Sequence, residues 1–455
     1  MPTIELGELG AEPQHDRVGP GESASRPGRR RSRFLRAGLP AVLVGLLVTM
    51  SAGNPFPGPW REVDVPAPLG AMVLADGDWM FVVSGVGTST SGQELAGYRL
   101  PEGTPRWRMT LPPGDVGQPL LLGDTLVLAS YSEQSSEGRN RVTAVDATTG
   151  SISWEREASV EVFSGTGDLV VWAGPEGWQP PDGLEPDPAK HRPAGTLEVV
   201  DPASGKPRWS LPTPVGARRA YNYAAFGEVA QMALILPSGR VEIRDLSTSA
   251  VTGTGQLPPP PADRPDVYWY VDFVGDLLVV HEERSVTAYG LAGLDRRWSM
   301  PRDDSLEYGP TTCGAHLCTY LRDNGVRVWD DRTGQLRWSD PRWTSLSPVG
   351  DVFIATAAPE SSTPYLQYAV DPATGRVLAE LGSWQLVDDG SEGPRLLGIR
   401  IDSDRRAWVA EIDTTALRTR LLTVLPGVSG ECGLVAETLH CRRVNGSVGL
   451  WQLRR

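Results

Sequence analysis

The residues of this sequence that could do chemistry are few and scattered. Four cysteines stand in two local pairs, Cys313 with Cys318 and Cys432 with Cys441. The C-x4-C spacing of the first pair is not the C-x-x-C redox motif. His316 lies inside it, but no further ligand cluster follows, so a zinc site is not built. An even, locally paired count in an exported chain reads as disulfides, and 313–318 with 432–441 is the nearest in sequence of three connectivities. Loops this short contribute about 2–3 kcal/mol each. His15, His191, His281 and His440 are dispersed, and no G-x-S-x-G, H-E-x-x-H or glycine-rich phosphate loop occurs. Asp303-Asp304 and Asp388-Asp389 read as solvated turns. Asn445-Gly446-Ser447 matches a glycosylation sequon and reads better as a hairpin turn. The most unusual polar stretch is 173–196, which carries Trp178, Asp182, Glu185, Asp187 and His191. It holds no catalytic constellation and reads as a candidate partner loop, with insertion drift as the alternative.

The elements that position these residues come from a repeat. Residues 142–154, VTAVDATTGSISW, run from an alternating strand through Asp146 and a Thr-Thr-Gly turn to Trp154. Clear copies place Asp201, Asp330 and Asp371 in the Asp slot, and weaker ones place Arg99, Asp245, Gly290 and Asp413 there. A truncated copy ends the chain at Gly449-Leu450-Trp451. Most slots stand 40–47 residues apart, the spacing of a four-stranded propeller blade. The Asp accepts backbone N–H groups and closes the turn. The glycine four residues on (Gly150, Gly205, Gly334, Gly375) supplies positive φ. Tryptophan eight residues past the slot (Trp107, Trp154, Trp209, Trp298, Trp338) falls on the outer strand, where its ring wedges against the next blade. Ala379 and Leu421 hold that position in two later copies, so weaker packing is expected there. Trp (15) is twice as frequent as Phe (7), as a tryptophan-based repeat requires.

Each unit reads as strands A to D. The last unit lacks a strand D, which the N-terminal unit is placed to donate, closing the ring without an open edge. The expected fold is therefore all-β, a single propeller over 67–455 with eight blades, or seven if 67–111 is partly an extension. The B–C loops of the first three units, 84–93, 130–140 and 173–196, are long and leave one face on adjacent blades. The proline-rich link 257–265 lies on that face and reads as a stiff bridge.

Upstream, residues 1–33 read as a disordered tail. Residues 34–53 follow a basic run and are long enough to cross a bilayer core of about 30 Å. They read as a transmembrane signal-anchor with the N-terminus cytoplasmic and the propeller outside. A cleavable signal ending near 49–53 is the competing reading, which makes the product secreted. Residues 54–66 read as a proline-rich linker. The formal net charge is −13, and residues 37–455 carry −15 of it, which argues against nucleic acid and against anionic lipid as partners.

The A-x-D-x-x-T-G-x-x-x-W repeat resembles the pyrroloquinoline-quinone-type propeller repeat of quinoprotein alcohol dehydrogenases and of the outer-membrane assembly lipoprotein of the Bam complex. The resemblance covers about 67–455 and implies a propeller, not the cofactor, which many members have lost. A quinone-dependent member would use bound Ca²⁺ and, in many cases, a vicinal disulfide, and no adjacent cysteines occur here. The lipoprotein cysteine usual after the leader is also absent. The expected function is a membrane-anchored, extracytoplasmic, non-catalytic binding or scaffolding module without catalytic, cofactor or metal residues, its partner another envelope protein or polymer. The alternative is a quinone-dependent oxidoreductase using pyrroloquinoline quinone with Ca²⁺.

Overall fold

The computed structural model describes residues 62–452, apart from 86–91, 112–114, 118, 132–139, 176–192, 224–227, 260–268, 303–309, 323–324, 358–365 and 388–392. The tail, the signal-anchor and most of the linker lie outside the described residues, as does most of the third long loop. The described residues form strands and no helix.

The strands make eight hydrogen-bonded sheets, one of which is two four-stranded meanders side by side. Among the described residues there are therefore nine antiparallel meanders, spanning 72–110, 115–157, 159–213, 218–256, 270–301, 311–340, 343–382, 385–426 and 428–452. Each of the eight full repeats supplies one meander. The truncated ninth repeat contributes three strands and takes its fourth from Glu62–Val65, which pairs antiparallel with Val448–Gln452. The count exceeds the expected eight, or seven, because this composite sheet is a full unit of its own. Arg443 clamps the donated strand through ion pairs with Glu62 and Asp64. Arg442, buried beside it, donates to the Ala71 carbonyl, just ahead of the first meander, at 2.6 Å.

The core is distributed rather than central. Nine clusters of buried apolar side chains each span one seam between successive meanders, the last joining the ninth to the first. Strands B and C supply most of these residues, as in Leu277–His281 and Ser285–Gly290, where nearly every side chain is buried. Outer strands alternate exposed and half-buried, as in Ile152–Glu157. This is the one-sided pattern of an edge facing water.

A tryptophan lock holds the seams. Trp107, Trp154, Trp209, Trp298 and Trp338 each donate the indole N–H to a carbonyl in the next meander, on Ala147, Pro202, Leu246, Asp331 and Pro372, at 2.7–2.9 Å. The ring then lies over the next turn's glycine. A Cβ on Gly150, Gly205, Gly334 or Gly375 would stand 2.4–2.7 Å from ring atoms of Trp107, Trp154, Trp298 or Trp338. A bulge precedes each tryptophan, as at Ile152/Trp154 and Leu336/Trp338, and its extra residue twists the outer strand toward the neighbour. That residue is Arg106, Arg208, Arg297 or Arg337 in four copies, an Arg-Trp dipeptide legible in the sequence.

Two seams invert the lock. Between the fourth and fifth meanders the outer strand carries Gly253 and Gly255, and the turn position opposite is Leu294, whose side chain lies 2.6–3.0 Å from a Cβ built on Gly255. Between the seventh and eighth the pair is Ala379 and Leu417, packed in one cluster. Packing at Ala379 is thus restored from the other side of the seam, which a single repeat read alone does not reveal.

Candidate functional site

The Asp turns lie on the C–D face. Asp146 Oδ1 accepts from the N–H groups of Thr148 and Thr149 at 2.9 and 2.7 Å, and Asp201, Asp245, Asp330, Asp371 and Asp413 do the same in their turns. These bonds stabilise the ionised form. In Asp330 the Thr333 and Arg337 side chains lower the pKa to about 2. With one oxygen of each carboxylate engaged in holding a turn, these aspartates are structural.

The opposite face carries the B–C loops. The three long ones leave from Ser84 and Glu94, from Tyr131 and Asn140, and from Ala173 and Thr196, paired strand ends of the first three meanders. Trp178, Asp182, Glu185, Asp187 and His191 fall outside the described residues. The root of their loop is described. Trp172 is 1 % exposed and donates to Thr213 Oγ1 at 3.2 Å. A Cβ on Gly174 or Gly195 would sit within 2.3–2.6 Å of its ring, so only glycine fits at either end of the loop.

Behind that root lies a polar cluster that the sequence reading did not single out. Glu161 occupies a bulge of its strand and receives Arg219 Nη2 at 3.1 Å and the Tyr221 hydroxyl at 3.2 Å. The Arg219 guanidinium is buried and stands 5.7 Å from the Trp172 ring centroid. Burial, with the nearby Glu161 charge, pushes the Tyr221 hydroxyl well above its ordinary range. Alternation along Arg218–Tyr223 puts Arg219, Tyr221 and Tyr223 on one face of the strand. The cluster ties the third meander to the fourth beneath the long loop.

A cavity of about 480 Å³ opens where the ring closes. Its floor is Val82, Ala96 and Tyr98 of the first meander, its walls are Pro66–Pro68 of the link and Asn445 and Ser447 of the ninth meander's B–C turn, and Glu94 and Arg108 pair at 3.2 Å along its edge. Ser84, Glu94 and the 444–447 turn place it on the face of the long loops.

Cys313 is bonded to Cys318 and Cys432 to Cys441, each across strands A and B of one meander. His281 is buried and His440 half-buried, and among the described residues no three His, Cys, Asp or Glu side chains converge to hold a metal ion.

Together the meanders, the turn and the lock define a β-propeller of pyrroloquinoline-quinone-like repeats. Residues 58–257 match the family model described as outer membrane protein assembly factor BamB. No curated protein matches the chain. Similar solved structures include BamB from Moraxella catarrhalis (14 % identity, 87 % of this chain and 99 % of that one, TM-score 0.42). The computationally designed Ika8 protein (14 %, 75 % and 96 %, 0.42) and the dihydro-heme d1 dehydrogenase NirN in complex with DHE (14 %, 85 % and 84 %, 0.42) are also similar.

Proposed function

We propose that this chain is a membrane-anchored, extracytoplasmic scaffold that engages another envelope protein through the face bearing its long B–C loops, without a cofactor and without catalysis. The observation that carries this reading is the direction of the closing strand. Glu62 pairs with Trp451 at the C–D end of the ninth meander, and Val65 pairs with Val448 at the B–C end. The described chain thus enters the ninth meander at the face of the Asp turns, and the three long loops leave the opposite face. Rigid sheets that present long loops away from a tether suit capture of a partner. The description of the matching family model, an assembly factor for outer membrane proteins, supports the same class of role.

The test is crosslinking of the full chain in its host. Residues 176–192 are replaced by a short Gly-Ser link that spares Trp172, Gly174 and Gly195. The thermal midpoint is expected to stay within about 2 °C, because the paired strand ends at Ala173 and Thr196 are kept and loop length alone costs little. Crosslinks to the native partner are expected to fall at least tenfold. Crosslinks that survive undiminished would sink the reading.

A further inference from the structure

We infer that the Cys432–Cys441 disulfide is a redox latch on ring closure, which a protein dithiol opens by attack at Cys432, releasing the strand donated by the start of the propeller. This goes beyond the scaffold reading and does not rest on it. Of the four cysteines, Cys432 alone is partly exposed, while Cys441, Cys313 and Cys318 are 0, 1 and 0 % exposed. A dithiol therefore reaches one sulfur of this disulfide and neither sulfur of the other. Accessible disulfides are the labile and regulatory ones.

The two bonds also differ in what they hold. Cys313–Cys318 closes a hairpin whose strands pair in unbroken register, Thr311 with Cys318 and Cys313 with His316. Cys432–Cys441 spans a register break. Gly430 pairs with Arg442 and Gly433 with His440, so Glu431 and Cys432 together stand opposite Cys441. Glu431 is held there at φ 47°, a left-handed conformation unfavourable for a residue with a side chain. From that position its carboxylate accepts from Arg442 Nε at 3.0 Å. Arg442 is buried, and Glu431 is the one carboxylate paired with it among the described residues. The other Arg442 nitrogens donate to the carbonyls of Gly446 at 3.1 Å and Ala71 at 2.6 Å. Ala71 ends the link from the donated strand, Glu62–Val65, to the first meander. The next residue, Arg443, pairs with Glu62 and Asp64 of that strand. Contacts thus run from the disulfide through Glu431, Arg442 and Arg443 to the strand that closes the ring.

Reduction breaks this path at its start. A thiolate of the dithiol attacks Cys432 Sγ, a mixed disulfide forms, and Cys441 leaves as a thiolate and takes a proton. The second thiol resolves the mixed disulfide and frees Cys432. Two electrons and two protons pass to the protein, and the dithiol becomes a disulfide. Without the cross-link Glu431 relaxes out of its left-handed conformation. The buried guanidinium then lacks its counter-ion, which is costly away from water. Arg442 turns from Ala71, and the closing strand frays.

The test exposes the purified full chain to graded dithiothreitol, maps alkylated cysteines by mass spectrometry and follows amide hydrogen exchange. Cys432 and Cys441 are expected to open at a concentration at least tenfold below that for Cys313 and Cys318. Exchange across 62–65 and 448–452 should then rise at least tenfold, with that of 316–320 unchanged. Glu431→Gly suits the left-handed φ and keeps the disulfide but removes the counter-ion, and it should raise the same exchange without reductant. Cys313→Ala with Cys318→Ala should leave the response intact. Opening of Cys313–Cys318 at the same or a lower concentration would overturn the inference. So would a closing strand whose exchange ignores the state of Cys432–Cys441, or a rise spread evenly over all meanders.

Discussion

Replacing Gly150 with leucine is expected to destabilise the propeller by several kcal/mol, and combining it with Trp107→Gly is expected to cost about 2 kcal/mol or more less than the sum of the two single losses. The clash is explicit, since a Cβ at position 150 would stand 2.4 Å from Trp107 Cδ2. The positive φ of 72° at Gly150 adds a penalty of about 1 kcal/mol for a side chain. That second term does not decide the outcome, because Leu294 and Leu417 occupy the same turn position at φ 51° and 52°. The turn accepts leucine wherever the facing outer strand carries small residues in place of the ring. Trp107→Gly alone removes the bond to the Ala147 carbonyl and the ring's packing, a loss of roughly 3–5 kcal/mol. A double-mutant cycle by urea denaturation should therefore give a coupling of about 2 kcal/mol or more in favour of the pair. Single effects that sum to within about 0.5 kcal/mol would show that ring and turn do not sense one another.

Stability is also expected to fall between pH 6.5 and about 4, with His281 the largest contributor. His281 is 1 % exposed, its ring stacks on Tyr270 at 4.0 Å, and its Nε2 has no hydrogen-bond partner. Burial, reinforced by the Arg302 charge, lowers its pKa from 6.5 to about 3, and burial lowers His440 to about 4. In each case the unfolded chain takes up a proton below pH 6.5 while the folded one refuses it until its own lower pKa. The stabilisation is complete above 6.5, declines as the pH falls from 6.5 to the folded value, and is lost below it. At about 1.4 kcal/mol per unit, His281 accounts for on the order of 3–5 kcal/mol by pH 3.5. Below about pH 4 the turn carboxylates add to the loss, because their folded pKa values are depressed, Asp330 to about 2. Asp76 and Asp272, raised by burial, act in the opposite sense above that range, where the folded state takes up their protons first as the pH falls toward about 4. Urea midpoints measured from pH 7.5 to 4 should therefore slope downward in the native chain. His281→Phe keeps the ring stack without a titrating group and should remove most of the slope. An unchanged slope in that variant would assign the acid sensitivity elsewhere.

The repeat was legible because its roles are local. An Asp, a Thr or Ser three residues on, and a residue at positive φ after it close a turn with bonds that span a few residues, and they recur with a fixed offset to tryptophan. The all-β class and the propeller follow from that, as does the missing strand of the last copy. Reading each copy alone set the limit. Counting full copies leaves out the composite ninth meander, because its fourth strand lies nearly four hundred residues away in the chain. The partnership of Trp107 with Gly150, and its inversion at Gly255 with Leu294, joins residues of successive repeats that no local pattern links.

The candidate site divides in the same way. Three long loops on adjacent units can be read from strand spacing, so their common face follows from the sequence. The polar tie of Glu161 with Arg219 and Tyr221 depends on a bulge that turns a carboxylate toward the next meander. The seam cavity depends on the first meander meeting the other end of the chain. Sequence by itself determined the turns, the class of fold and the face that carries the loops, because hydrogen bonds over a few residues and side-chain periodicity specify them. Only the tertiary structure decided how many units close the ring, how each seam is filled and where it is left open, because those depend on the volumes of side chains that meet across seams.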